Sequence, residues 1–114
     1  MIKIKDRMVE GVAVCIIEGK LSGIEGKGQI QERIRELMDE GVVKIVLDLS
    51  KVNWIDSTGL GELIASLSSI KKKDGNMVLS NLQAPVQSLL KMTNLTQIFE
   101  VFDDFEHAVA ELNK

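Results

Sequence analysis

A chain of 114 residues, 45% hydrophobic and with one proline, is long enough to bury a core as a single domain over residues 1–114. Its lone Cys15 excludes an internal disulfide or a cysteine metal framework. A net charge of −3, from 14 basic and 17 acidic residues, with 4% aromatics, argues against a nucleic-acid surface or a stacking platform for single strands.

The N-terminus from Met1 to Arg7 alternates charge with apolar groups, which is no signal-peptide pattern. No apolar run approaches the roughly 20 residues that cross a bilayer. The expectation is a cytoplasmic protein without membrane insertion.

Residues 2–6 and 12–18 are apolar-rich and separated by Glu10-Gly11, which predicts two strands joined by a tight turn, with Gly19 ending the second. Cys15 lies inside the second, where it reads as a small buried hydrophobe. The segment from Lys20 to Gly28 holds three glycines and predicts a loop. It lacks the spacing of a phosphate-binding P-loop. Ile30, Ile34, Leu37 and Met38 share one helical face, and Gly41 stops that helix. Val42 to Leu49 is almost continuously apolar, as in a central strand.

A short crossing then leads to Asp56-Ser57-Thr58-Gly59, at the start of a helix striped by Leu60, Leu63, Ile64, Leu67 and Ile70. Glu62, Ser66, Ser69 and Lys71-Lys72-Lys73 fall on its other side, the lysines complementing the helix dipole. Asp74-Gly75-Asn76 predicts a turn and Met77 to Leu79 a short strand. A short helix follows with Pro85 in its first turn and Val86, Leu89 and Leu90 inward. Ile98 to Val101 predicts a last extended piece, and Asp103 to Leu112 a closing helix with Phe105, Ala108, Val109 and Leu112 on its apolar side. Strands alternating with helices after an opening hairpin imply α/β layering on a mixed sheet.

Few residues offer catalysis. Ser57 as a nucleophile needs a base held against it, and the only histidine, His107, reads as a solvated residue of the last helix. Asp103, Asp104 and Glu106 most simply decorate that helix's first turn. No cluster has metal-ligand spacing. The chain does not read as an enzyme, and no bound cofactor or metal is expected.

The hinge at Ser57 is more particular. Its plain structural role is to cap the helix, worth about 1 kcal/mol. Yet Gly59 and Gly61 both lie in the first turns, where each costs stability relative to alanine. They bare the backbone beside the hydroxyls of Ser57 and Thr58, as a site approached by another protein needs. Asp56 sets a carboxylate beside Ser57, and Trp54 precedes it as a large apolar group.

The stretch Ile55-Asp56-Ser57-Thr58-Gly59-Leu60-Gly61, preceded by Ile45 to Ser50 and followed by a striped helix, closely resembles bacterial anti-sigma factor antagonists of the STAS domain family. Met77 to Leu82, and Val86 to Phe99 with Leu89, Leu90, Thr93, Leu95 and Ile98, resemble the family's second half. The resemblance spans essentially the whole chain. It implies one STAS-like α/β domain, a mixed sheet of four to five strands with about four helices packed on it.

It further implies a partner-switching cycle that regulates transcription. The dephosphorylated antagonist binds an anti-sigma factor that is also a serine kinase, so that the sigma factor is released. The kinase, supplying the ATP, phosphorylates the position of Ser57, and a protein phosphatase resets it. Asp56, Thr58, Gly59 and Gly61 would shape the site, and Ser22, Gly23, Leu60 and Glu62 would line the partner contact. One difference stands out: where members often carry Gly-Glu-Leu/Ile-Asp, this chain has Gly19-Lys20-Leu21-Ser22. The alternatives are a STAS scaffold in a two-component or transport complex, and a small-ligand or nucleotide sensor using the 23–28 loop.

Overall fold

The computed structural model describes residues 2–22 and 28–114. Among them the order is β1 (Lys3–Val9), β2 (Val12–Leu21), α1 (Gln29–Asp39), β3 (Lys44–Ile55), α2 (Ser57–Lys71), β4 (Asn76–Ser80), α3 (Ala84–Met92), a 3-10 turn (Leu95–Gln97), β5 (Val101–Phe102) and α4 (Phe105–Leu112). The five strands lie side by side in chain order. β1 pairs antiparallel with β2, and β2 to β5 run parallel, which makes the mixed sheet expected from the sequence.

Alternation along the strands sends side chains to two cores. Ala13, Cys15, Ile17, Ile45, Leu47, Leu49, Met77 and Leu79 face α1 and α2, where they meet Ile30, Ile34, Leu37, Leu63 and Ile70. Val86 and Leu90 of α3 join this larger core. Val12, Val14, Val46 and Val78 point to the opposite face and are covered by Ala108 and Val109 of α4. A β-strand covered on both faces favours apolar residues at successive positions, which is why Ile45, Val46 and Leu47 follow one another without alternation. Arg33 staples the edge strand to α1, its guanidinium donating to both Asp6 carboxylate oxygens at 2.7 and 3.0 Å.

Three boundaries differ from expectation. Gly19 does not end β2, which continues to Leu21. The expected crossing after Leu49 is strand instead, since β3 continues to Ile55. The register against β2 shifts between Ile16 and Glu18 and again between Gly19 and Leu21. Each shift adds a residue to β3, so its inward positions run Leu49, Val52, Ile55 at a spacing of three. That spacing hides the strand from a period-two reading. The last strand is Val101–Phe102, and Ile98, expected within it, is exposed.

Candidate functional site

The extra length of β3 delivers its C-terminal end beside that of β2. The backbone N–H of Asp56 donates to the Leu21 carbonyl at 3.1 Å, which fixes the start of α2 against the end of β2. The N-cap of α2 is Asp56, not Ser57: its Oδ1 accepts from the Gly59 N–H at 2.9 Å. Ser57 is the first residue of the helix and is exposed, as is Thr58. The Ser57 hydroxyl makes no hydrogen bond among the described residues. The next donor, the Leu60 N–H, is taken by the Asp56 carbonyl at 2.9 Å.

This division of labour sets the electrostatics. The N–H groups of Ser57 and Thr58 head the helix without an intrahelical acceptor. No acidic residue occupies the first turn of α2. An anion carried on Ser57 Oγ would meet two backbone donors and the positive end of the helix dipole. It would also meet the Asp56 carboxylate, which opposes it.

The two glycines separate. A Cβ on Gly59 would lie 2.3 Å from the Leu21 carbonyl oxygen, so this glycine serves the packing of α2 against β2 rather than an approaching protein. Gly61 is exposed, with nothing within 4 Å of an added Cβ, and remains the glycine that opens the surface.

Two expected contact residues require correction. Leu60 is 7% exposed and belongs to the core, and Glu62 is 8% exposed. The Glu62 carboxylate turns away from solvent and accepts from the backbone N–H groups of Gly28 (3.1 Å), Ile30 (2.8 Å) and Gln31 (3.3 Å). It caps α1, whose own N-cap position, Gly28, has no side chain to do so. Ser66, one turn on, is also buried, its hydroxyl donating to the Glu62 carbonyl at 2.8 Å. Of the helix side expected to be solvated, Glu62 and Ser66 are therefore buried, whereas Ser69 and Lys71 to Lys73 are exposed as expected. Ile64, expected inward, is exposed instead. Ser22 is half-buried beside Leu21, and Lys20 is exposed. Gly23, and with it most of the 23–28 loop, lies outside the described residues.

Trp54 is 54% exposed one residue before the buried Ile55, at the strand end leading into the site. His107 is exposed, its Nδ1 2.9 Å from the Asp104 carboxylate, far in sequence from Ser57 and engaged at the cap of α4. The residue that sequence reasoning missed is Leu21. Its carbonyl receives the Asp56 N–H and its backbone forces Gly59, but nothing in the local sequence marks a backbone acceptor.

The chain is thus a small α/β domain with an exposed serine at the first position of a helix that follows the C-terminal end of a parallel strand. The model of the STAS domain family matches residues 4–108, and the chain belongs to that family. An anti-sigma F factor antagonist of Paenibacillus polymyxa is 30% identical over 107 residues, covering 90% of this chain and 87% of the relative. A solved Thermotoga maritima structure, assigned as an anti-sigma factor antagonist, superposes with a TM-score of 0.89 at 28% identity, covering 97% of this chain and 95% of that one. An anti-sigma factor antagonist of Mycobacterium paratuberculosis shares the fold, with a TM-score of 0.87 at 18% identity over 100% of this chain and 96% of its own. No helix among the described residues is long and apolar enough to cross a membrane.

Proposed function

We propose that this protein is a phosphorylation-controlled anti-sigma factor antagonist. With Ser57 unmodified it binds an anti-sigma factor that is also a serine kinase, and the sigma factor is released. The kinase brings ATP: Ser57 Oγ forms a bond to the γ-phosphorus, the bond to ADP breaks, and the hydroxyl proton leaves to a base on the kinase. A protein phosphatase hydrolyses the ester and restores binding.

The observation that carries this reading is the exposed Ser57 hydroxyl at the head of α2, released from capping by Asp56. The phosphoryl group adds about −1.5 to −2 charges. Within the domain, the free N–H groups of Ser57 and Thr58 offset that charge. A partner that packs on the unmodified hydroxyl has no such donors and meets desolvation and repulsion. A loss of 3 kcal/mol weakens binding about a hundredfold.

The test is incubation with a candidate anti-sigma kinase and ATP, followed by mass spectrometry of the peptide spanning Ser57, alongside binding of Ser57→Ala and Ser57→Asp. One phosphate on Ser57, with Ser57→Ala bound and Ser57→Asp excluded, is the expected result. Equal binding of all three proteins by that kinase rules out the charge switch.

A further inference from the structure

The outer face of α2 carries a second feature beyond the serine. Ser57, Gly61, Ile64, Ser68 and Lys72 recur at helical spacing and are all exposed, so they form one stripe along the helix. At its far end is a groove of about 440 Å³ lined by Ile64, Leu67, Ser68, Lys71, Lys72 and Ile98. Ile64 is 37% and Ile98 52% exposed, two aliphatic side chains facing solvent across a shallow trough. Lys71 and Lys72 rim it, both exposed, and neither forms an ion pair with any described residue. Among the described residues, no carboxylate lines the groove.

Building on the reading of Ser57 as a partner-facing switch, we propose that this groove seats an amphipathic acidic segment of the partner protein. Its apolar side chains would lie between Ile64 and Ile98, and its carboxylates would pair with Lys71 and Lys72. The contact would then run along α2 from the switch to the lysines, about 22 Å of helix. Charge selects this occupant over a second copy of the chain. A two-fold contact centred on the groove brings each lysine pair against its own symmetry mate, which is repulsive. The helix dipole accounts for a cation in the last turn of α2. It does not account for two lysines flanking exposed isoleucines.

The probe is a helical peptide of about 15 residues with leucines spaced three and four apart and glutamates on both flanks. Its control carries lysine at each glutamate. Amide shifts of the whole 114-residue chain are followed by NMR. The acidic peptide is expected to shift Ile64, Ser68, Lys72 and Ile98, and the basic peptide to leave them in place. Lys71→Glu with Lys72→Glu should weaken the acidic peptide about tenfold or more, as should raising the salt. Ile98→Ser, an exposed change that leaves the core intact, should weaken both apolar and total binding without altering the remaining spectrum.

Equal binding of the two peptides, or shifts elsewhere, overturns the proposal. Concentration-dependent dimerisation abolished by Ile98→Ser would give the groove to a second copy and overturn it as well. None of these readouts involves phosphorylation, so the groove and the Ser57 switch can fail separately.

Discussion

The carboxylate of Glu62, on α2, accepts a 2.8 Å hydrogen bond from the backbone N–H of Ile30, at the start of α1. The two residues are 32 apart in sequence, so the N-terminus of one helix is capped by the side of another. The first N–H groups of a helix have no internal acceptor, and here a single buried carboxylate serves three of them. The helix that bears Ser57 thus also anchors the start of α1. Position and stability of the two meet in one side chain.

Glu62→Ala should therefore destabilise the fold by about 3 kcal/mol, because it leaves buried donors unpaired as well as removing a charged acceptor. Glu62→Gln keeps one acceptor oxygen and should cost less than half of that. Urea midpoints check the ranking, and amide exchange at Ile30 and Gln31 should accelerate before that of Leu63. If exchange at Ile30 is unaltered in the alanine variant, the tertiary cap is not what orders α1.

The glycines offer an opposed pair. Gly59→Ala drives a methyl into the Leu21 carbonyl, 2.3 Å from its oxygen, and the Leu21 backbone and the buried Ile55 side chain limit relief. A loss of about 2–3 kcal/mol is expected. Gly61→Ala meets nothing within 4 Å and gains helix propensity, so it should stabilise by about 0.5–1 kcal/mol. The same methyl stands in the stripe next to Ser57 and should weaken kinase binding. Thermal melts of both variants, with binding measured for Gly61→Ala, separate the packing glycine from the surface glycine.

What was legible in the sequence followed from periodicity. The stripe of Ile30, Ile34 and Leu37, the nearly continuous apolar run of Val42 to Leu49 and the stop signals at Gly41 and Asp74-Gly75 each depend on near neighbours. What was hidden depends on partners distant in the chain. Glu62 looks like any solvated helix glutamate until α1 is laid against it. Ser57 looks like a cap until the Asp56 carboxylate is found doing that work. Gly59 looks functional until the Leu21 carbonyl is placed beside it. Ser50 to Ile55 read as a crossing because register shifts replaced a period of two by a spacing of three. The placement of Ser57 at the head of α2 was legible from its motif, whereas the division of roles around it was not.

Phosphorylation of Ser57 should leave the domain's structure nearly unchanged. The added charge lands on the first residue of α2, where the Ser57 and Thr58 N–H groups are unengaged by the helix and the dipole is favourable. Amide shifts should concentrate at Asp56 to Gly61 and at Leu21 and Ser22, with the α4 side silent. Widespread shifts reaching Val109 would mean that the switch works by remodelling the fold rather than by refusing the partner. Asp56→Ala removes the cap and should cost about 1 kcal/mol, while bringing no new role to Ser57 if its hydroxyl is held for the kinase.

Cys15 supplies a pH test of the core. The thiol is 1% exposed between β1 and β3, and burial first, then the nearby Asp6 charge, push its pKa from 9.0 up to about 12. The sign follows from linkage: the folded chain keeps the proton where the unfolded chain has lost it. The stabilisation is complete below about pH 9 and declines as the pH rises from there toward 12, by up to about 1.4 kcal/mol per unit. Urea midpoints of the wild-type chain should fall more steeply between about pH 8.5 and 10.5 than those of Cys15→Ala. Alkylation by iodoacetamide should be slow in the native protein and fast in denaturant, since the thiolate is the nucleophile. Parallel pH slopes in the two proteins, or rapid native alkylation at pH near 8, would place the thiol in contact with water and contradict its position in the larger core.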